Sequence, residues 1–351
     1  MKIALVIEFL PEAGGKLGGV TVAVHRLANG LVEAGHEVSV VALSGNPSDA
    51  SYEIVKPFRS DRLNRWLGSK LGQVVYPLAL NFGALPGDVD VWHFHGYDHF
   101  VLRPLRPRLR TLHGSSLREM QATDNVLRKL LMGFNYLCEW VSVARADRTL
   151  CIGAETAEMY GLQHVVDNPF DPTLFRPGAK AEHPRIFYNG YWTGRKRGKF
   201  MYERFVEDIL PRMPGAELVM LCDKVPDHPR VRALRGISDQ ELADWYASSW
   251  LFCYPSIYEG FGMAYMEAMA AGTAIVTSQN PGADYVLEHG RYGAVVEDAD
   301  FSKEILRLLQ DADARRGLEL AGLERCQTFT TEAVTRQHLR HYQEVLERSR
   351  T

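Results

Sequence analysis

The sequence has little from which to build a disulfide framework, a thiolate metal site or a membrane span. Its five cysteines (Cys138, Cys151, Cys222, Cys253 and Cys326) are odd in number, widely scattered and form no CxxC pair. That pattern predicts reduced, mostly buried thiols and a cytoplasmic protein. The most apolar internal stretch, "VVYPLALNFGALPG", is broken by Pro and Gly and is too short to cross a bilayer. The opening "MKIALVIEFL" is interrupted by Glu8, and no small-residue cleavage site follows it. It reads as a first β-strand and not as a signal peptide. Charge is nearly balanced, with 40 basic against 43 acidic residues, which argues against nucleic acid as a partner. Short tandem repeats, low-complexity tracts and a P-loop are all missing, and the glycine-rich loop gives no clean GxGxxG.

What is present is an alternation. A chain of 351 residues suits two domains of ordinary size, and 46% apolar content fills two cores. "KIALVIEF", "EVSVVAL", "DVWHFHG", "RTLHG" and "RTLCIG" read as strands. Between the first two, Val24, Leu27, Leu31 and Val32 recur at helical spacing, with Gly35 placed to end the helix. Strand–helix–strand order implies a parallel sheet covered on both faces, hence an α/β fold. A Pro-rich stretch from Asn168 to Pro184 breaks the pattern and reads as a linker. Alternation then resumes through "RIFYNGY", a helical "KFMYERFVEDIL", "ELVMLCD", "SWLFCYPS", "GTAIVTS" and "GAVVED". The tail from Thr331 to Arg350 is one long amphipathic helix with no strand after it.

Ligands of parallel sheets bind at the carboxyl ends of strands, so the loops that follow strands carry the chemistry. Four stand out. Gly14, Gly15, Gly18 and Gly19 precede a helix start near Val20, which suits an anion but equally a plain flexible loop. His93, His95, His99 and His113 lie at strand ends. Their alternation lacks metal-ligand spacing, so the first three fit structural roles, while His113 before Gly114 can reach a ligand. Arg195, Lys196, Arg197 and Lys199 follow the second domain's first strand, where a phosphate site competes with a solvated face. In "YPSIYEGFGMAYMEAMAAGTAIVTS", Glu259 precedes a Gly-Phe-Gly turn and Glu267 lies about one turn into the next helix. Balancing the helix dipole explains an acid near the first turn, but it leaves Gly260, Gly262 and the nearby cations unexplained.

This last stretch, taken from "GISDQELADWYASSW" onwards, resembles the signature of the family-4 retaining glycosyltransferases, with Glu259 and Glu267 as their Glu-x7-Glu pair. "GGVTVAVHRLANGLVEAGHEVSVV", "DVWHFHG", "RTLHG", "ARADRTLCIG", "NPFDPTLFRP" and "PGADYVLEHGRYGAVVEDAD" follow that family's order along most of the chain. The resemblance implies the GT-B fold, two facing Rossmann-like domains with a cleft between them. They would comprise residues 1–172 on the acceptor side, a linker at 173–184 and residues 185–330 for the nucleotide-sugar, with 331–351 crossing back to the first. By the same resemblance Glu267 would hold the ribose, and Glu259 hydroxyls of the donor sugar. The backbone of Gly260, Phe261, Gly262, Met263 and Ala264 would position sugar and phosphate. Gly236 and Ile237 would border the base, His113 would lie beside the transferred sugar, and Gly18 and Gly19 near the diphosphate or acceptor. The family's Gly-Arg pair is replaced here by Gly190-Tyr191-Trp192. Arg195 with Lys196 fits one alignment of its cations and Lys199 fits another.

The implied reaction moves a sugar from a nucleoside-diphosphate donor to an acceptor hydroxyl with retention, without metal or other cofactor. The acceptor would be a carbohydrate, a lipid-linked group or a small molecule. A sugar-nucleotide epimerase, a phosphorylase of the same fold, or a non-catalytic nucleotide-sugar-binding subunit are the alternatives. Three stretches, Arg62 to Lys70, Arg103 to Arg110 and Asn125 to Leu137, mix cations with Leu, Trp or Phe. They suit either core-packed helices or peripheral contact with the inner face of an anionic membrane.

Overall fold

The computed structural model describes residues 1–12, 19–59, 66, 72–121 and 125–350. The chain divides into two compact units, one of residues 1–169 with 331–351 and the other of residues 170–330.

The first unit is built on seven parallel strands: β1 (Lys2–Val6), β2 (Glu37–Val41), β3 (Glu53–Val55), β4 (Val91–Phe94), β5 (Arg108–Leu112), β6 (Arg148–Ile152) and β7 (Val165–Val166). Their order is β3-β2-β1-β4-β5-β6-β7. β1 lies inside the sheet between β2 and β4 and buries both faces, which is why it reads as an unbroken Ile-Ala-Leu-Val run. The helix Gly19–Glu33 turns Ala23, Val24, Leu27 and Leu31 inward, and Gly35 follows it at φ +83°. The last helix, Thr331–Arg350, packs on that first helix. Gly30 permits the approach, since a Cβ there would stand 2.4 Å from Thr335 Oγ1. Its buried side chains are polar as well as apolar. Tyr342 OH pairs with His93 Nδ1 at 2.7 Å, and Gln337 Nε2 donates to Asp167 Oδ2 at 2.7 Å. Arg148 joins Glu344 and His341.

The second unit holds six parallel strands: β8 (Arg185–Asn189), β9 (Glu217–Leu221), β10 (Val231–Leu234), β11 (Leu251–Tyr254), β12 (Ala274–Ser278) and β13 (Ala294–Val296). They run in the order β10-β9-β8-β11-β12-β13. Its core is aromatic. Phe187, Tyr188, Tyr246, Phe252, Tyr254 and Tyr265 are fully buried, with Phe187 and Tyr246 edge-on at 4.9 Å. The segment 170–184 forms no helix, and it is held to this unit by Lys180. That ammonium donates to Ser249 O and Gly272 O at 2.8 Å and to Thr273 Oγ1 at 3.0 Å. Burial lowers its pKa to about 8. The helical stretch expected from Lys199 to Leu210 is an α-helix only over Gly198–Arg204, and a π-type turn continues it over Phe205–Ile209.

Candidate active site

The carboxyl end of β11 supports most of the candidate residues. After Tyr254 the chain runs through Ser256 to Glu259, then turns at Gly262 (φ +87°) into the helix Met263–Ala270. Among the described residues no side chain caps that helix, so the positive end of its dipole is left without a built-in acceptor. The loop is fixed from the neighbouring strand end. Asn280 Nδ2 donates to Ser256 O at 3.0 Å and to Tyr265 OH at 2.9 Å, while its Oδ1 accepts from Ala283 N at 2.9 Å. Gly282 lets this second loop touch the first, because a Cβ there would lie 2.7 Å from Glu259 O.

Glu259 is only 7% exposed and is gripped at one oxygen. Its Oε1 accepts from Tyr254 OH at 2.8 Å and Ser256 Oγ at 2.9 Å, and pairs with Arg195 at 2.8 Å. Among the described residues no bond is made to Oε2, so a buried carboxylate keeps one oxygen for a ligand. Arg195 also donates to Tyr258 O and accepts at its own carbonyl from Ile257 N, which ties the cationic loop to the acidic one. Lys196 is half-buried, its ammonium facing the rings of Tyr191 at 5.7 Å and Tyr254 at 5.4 Å. Burial lowers its pKa against the opposing pull of Glu259. An ammonium held there, with no carboxylate contact among the described residues, gains most from an incoming anion.

The other two cations are engaged elsewhere. Arg197 adopts φ +57°, lies over Phe200 and forms a two-pronged pair with Asp298 at 2.7 and 2.9 Å. Lys199 is an exposed partner of Glu203 at 3.6 Å. Glu267 is half-buried one turn into its helix and touches Tyr246, whose phenol also receives Asn189 Nδ2 at 3.4 Å. Phe261 contributes no side chain to this surface. Its ring is buried against Tyr285 and Phe329 at 5.9 and 5.6 Å, so only its backbone is available. Gly236 (φ +60°) and the half-buried Ile237 form the turn after β10, followed by a capping box of Ser238 and Glu241.

His113 belongs to the first unit, just after β5. It shares a 3.0 Å hydrogen bond between its Nε2 and Nδ1 of His95, and Asn168 lies beside it. Burial pushes its pKa down to about 3, with Arg110 and His338 adding like charge, so the ring is neutral at physiological pH. His93 and His95 are buried and likewise held neutral. Among the described residues no group of three or more His, Cys, Asp or Glu is placed to hold a metal ion. Gly19 opens its helix, and among the described residues nothing lies within 4 Å of where a Cβ on it would stand, whereas Gly18 lies outside the described residues.

Sequence reasoning did not single out Tyr254, Ser256, Tyr246 or Asn280. The first two stand in the quoted stretch, but nothing in their spacing says that both hydroxyls turn back onto Glu259. Asn280-Pro281 carries a helix-start signal, and its hold on Ser256 and Tyr265 appears only once β11 and β12 are paired.

The profile of Glycosyltransferase Family 4 matches residues 17–173, and that of Glycosyl transferases group 1 matches residues 184–311. Phosphatidyl-myo-inositol mannosyltransferase of Mycolicibacterium smegmatis is 25% identical, over 98% of this chain and 94% of that one. Among solved structures, sucrose-phosphate synthase from Thermosynechococcus elongatus aligns with a TM-score of 0.72 at 19% identity, over 99% of each chain. Anabaena HepE, in complex with UDP and glucose, aligns at 0.67 and 15% identity, over 96% of this chain and 98% of that one. At such identities these likenesses carry the fold alone, and that fold is GT-B. With one profile on each half of the sequence and a relative matched over nearly its whole length, the chain belongs to the family-4 glycosyltransferases.

Proposed function

We propose that the protein transfers a sugar from a nucleoside-diphosphate donor to an acceptor hydroxyl with retention of configuration. The observation that carries this reading is Glu259, a buried carboxylate fixed through one oxygen beside Arg195 and the half-buried Lys196, at the open start of a helix. Departure of a nucleoside diphosphate builds negative charge on a phosphate oxygen, and pre-placed cations and backbone N–H groups stabilise it. Lys196 and Arg195 take that role. The backbone of Gly260, Gly262, Met263 and Ala264 borders the diphosphate and sugar, and Glu259 Oε2 grips sugar hydroxyls. Glu267 holds the ribose, where a carboxylate meets two adjacent hydroxyls, and Gly236 and Ile237 edge the base. By the family resemblance neutral His113 is assigned to the transferred sugar, and Gly19 to the diphosphate or acceptor. In the proposed step the sugar–phosphate bond breaks as the acceptor oxygen attacks from the same face. The departing phosphate oxygen takes the acceptor's proton. Because side-chain cations supply the charge, the reaction proceeds without a divalent metal.

Residues 185–330 serve the donor, and the first unit receives the acceptor. The UDP and glucose bound by HepE and the phosphatidyl-myo-inositol mannosyltransferase relative support UDP-glucose and nucleotide-linked mannose as the donors to try first, with a carbohydrate or lipid-linked acceptor. No helix among the described residues is long and apolar enough to cross a membrane. We place the chain in the cytoplasm, in peripheral contact with the inner membrane face.

A thermal-shift screen of nucleotide sugars tests donor binding, since a ligand at 100 times its Kd adds about 2.7 kcal/mol. The matching donor should be consumed in EDTA, with NMR of the product showing the donor's anomeric configuration. Inverted product, or turnover that requires magnesium or manganese, would overturn the corresponding part of this reading. Donor consumed without an acceptor and released as its epimer would favour an epimerase instead.

A further inference from the structure

The helix Val126–Arg145 is amphipathic the wrong way round for a helix on a soluble domain. Toward the interior it turns Met132, Asn135, Cys138 and Ser142. Toward solvent it turns Leu127, Leu130, Phe134, Leu137 and Val141, at steps of three and four residues that align them along one face. Leu127, Leu130 and Leu137 are 78%, 69% and 64% exposed. A folded domain hides its apolar stripe and leaves its polar one wet. An exposed apolar face of several large side chains marks an interaction site. The face continues sideways. Arg145 donates to His99 O and Val101 O, which brings the following Leu102 alongside, and Asn81 binds the same loop at Phe100 O and Leu102 N, bringing Phe82. Leu102 and Phe82 are both strongly exposed.

Charge identifies the occupant. The helix has three cations, Arg128, Lys129 and Arg145, and one acid, Glu139, which is turned aside to accept from Ser116 and Tyr160. Lys129 is exposed and has no carboxylate partner among the described residues. A second copy of the helix would not complement this face. Its one acid is held by Ser116 and Tyr160, so a second copy brings no free carboxylate of this helix to Lys129, while Arg128 is already paired with Glu119 at 3.3 Å and Arg145 is occupied by the carbonyls of His99 and Val101. An anionic lipid surface accepts both the apolar tips and the cations.

We propose that the outward face of the helix Val126–Arg145, with Leu102 and Phe82 beside it, docks the first unit on an anionic membrane surface. The proposal rests on the peripheral contact included in the functional reading above, and it gives that contact a location. Of the other two stretches that mix cations with apolar residues, 62–70 lies outside the described residues apart from the exposed Trp66. In 103–110, Arg108 and Arg110 belong to β5 and are buried on Asp98, so neither can reach lipid.

The test is co-sedimentation of the full chain with vesicles of phosphatidylcholine alone or with about one third phosphatidylglycerol, at low and high salt. The chain should sediment with the anionic vesicles and be released by salt. The triple variant Leu127→Ser, Leu130→Ser, Leu137→Ser should cut the bound fraction about tenfold, with the thermal shift given by a nucleotide sugar unchanged. A second variant, Arg128→Glu with Lys129→Glu, should abolish the preference for anionic lipid. Equal recovery of the wild type in the supernatant with both vesicles would overturn the proposal. So would wild-type binding by the triple variant, or a lipid-free dimer that the triple variant dissolves. None of these readouts uses sugar transfer, so lipid binding with no turnover would count against the enzymatic reading and leave the surface standing.

Discussion

At the scale of single residues, two neighbouring side chains separate binding from chemistry. Glu259→Gln keeps the size of the side chain and removes the charge that faces Arg195. The expected outcome is a loss in turnover of about 10²-fold, the usual scale for removing one electrostatic element of a transition-state site. Affinity for the free nucleotide should change little, and equal losses in both measurements would assign Glu259 to structure instead. Lys196→Ala should weaken binding of the nucleoside diphosphate by roughly 1.5–3 kcal/mol, the worth of a hydrogen bond to a charged group, while binding of the nucleoside alone is spared. Lys199→Ala should leave both unchanged, because that ammonium is engaged with Glu203 at the surface. A calorimetric titration with nucleoside and nucleoside diphosphate distinguishes the two lysines, and a defect carried by Lys199 would transfer the phosphate role to it. The sequence placed four cations after β8 and left their owner open between two alignments. The choice depends on where the turn at Arg197 points each one, which no spacing rule encodes.

Among the elements, the turn from β11 into the helix Met263–Ala270 depends on one backbone angle. Gly262 sits at φ +87°, and a Cβ there would come within 2.4 Å of the Tyr265 ring. Gly262→Ala therefore meets both a left-handed penalty of about 1–2 kcal/mol and a clash in a buried aromatic cluster. Thermal unfolding should show a lower midpoint for the second unit, and donor affinity should fall with it as the helix start is displaced. An unchanged midpoint would mean that the loop repacks freely. Strands with continuous apolar runs were legible from the sequence, β1, β4, β11 and β12 among them, because burial on both faces writes such runs directly. β3, β7 and β10 were not. They are short edge strands in which only Val166 is fully buried, and "VRAL" carries neither an alternation nor a run from which a strand is recognised.

For the molecule as a whole, the most consequential feature is the set of neutral histidines on and beneath the returning C-terminal helix. Burial lowers the pKa of His113 to about 3 and of His338 to about 4, and takes His93 and His95 well down also. In the unfolded chain a histidine titrates near 6.5. Their contribution is therefore complete above that pH and is lost as pH falls from 6.5 toward 4, by about 1.4 kcal/mol per pH unit for each independently titrating group. Glu8 acts in the opposite sense. Burial raises its pKa to about 7, so the folded form binds the extra proton and stability is lost as pH rises from 4.5 to 7. One glutamate against several histidines leaves acid destabilisation the winner. Melting of the first unit should drop steeply between pH 6.5 and 5, and flat midpoints over that range would refute the assignment. Truncation after Thr330 should unfold the same unit, since it exposes Gly30's helix and removes Tyr342 from His93. Circular dichroism of the shortened chain checks this, and retained cooperative melting of both units would show that the last helix is dispensable.

By itself the sequence determined the α/β class, the ordered strand-end motifs, and the acids and cations from which a donor site can be made. Those depend on local periodicity and on residue types, which survive in one dimension. Tertiary structure decided that Glu259 is held by one oxygen, that Arg197 and Lys199 are turned to other partners, and that Phe261 offers only backbone. It also decided that the helix Val126–Arg145 faces outward with its leucines. Its 3.6-residue period was readable, but the face that meets the core is set by packing partners distant in the chain. An apolar stripe has the same sequence whether it is covered or bare.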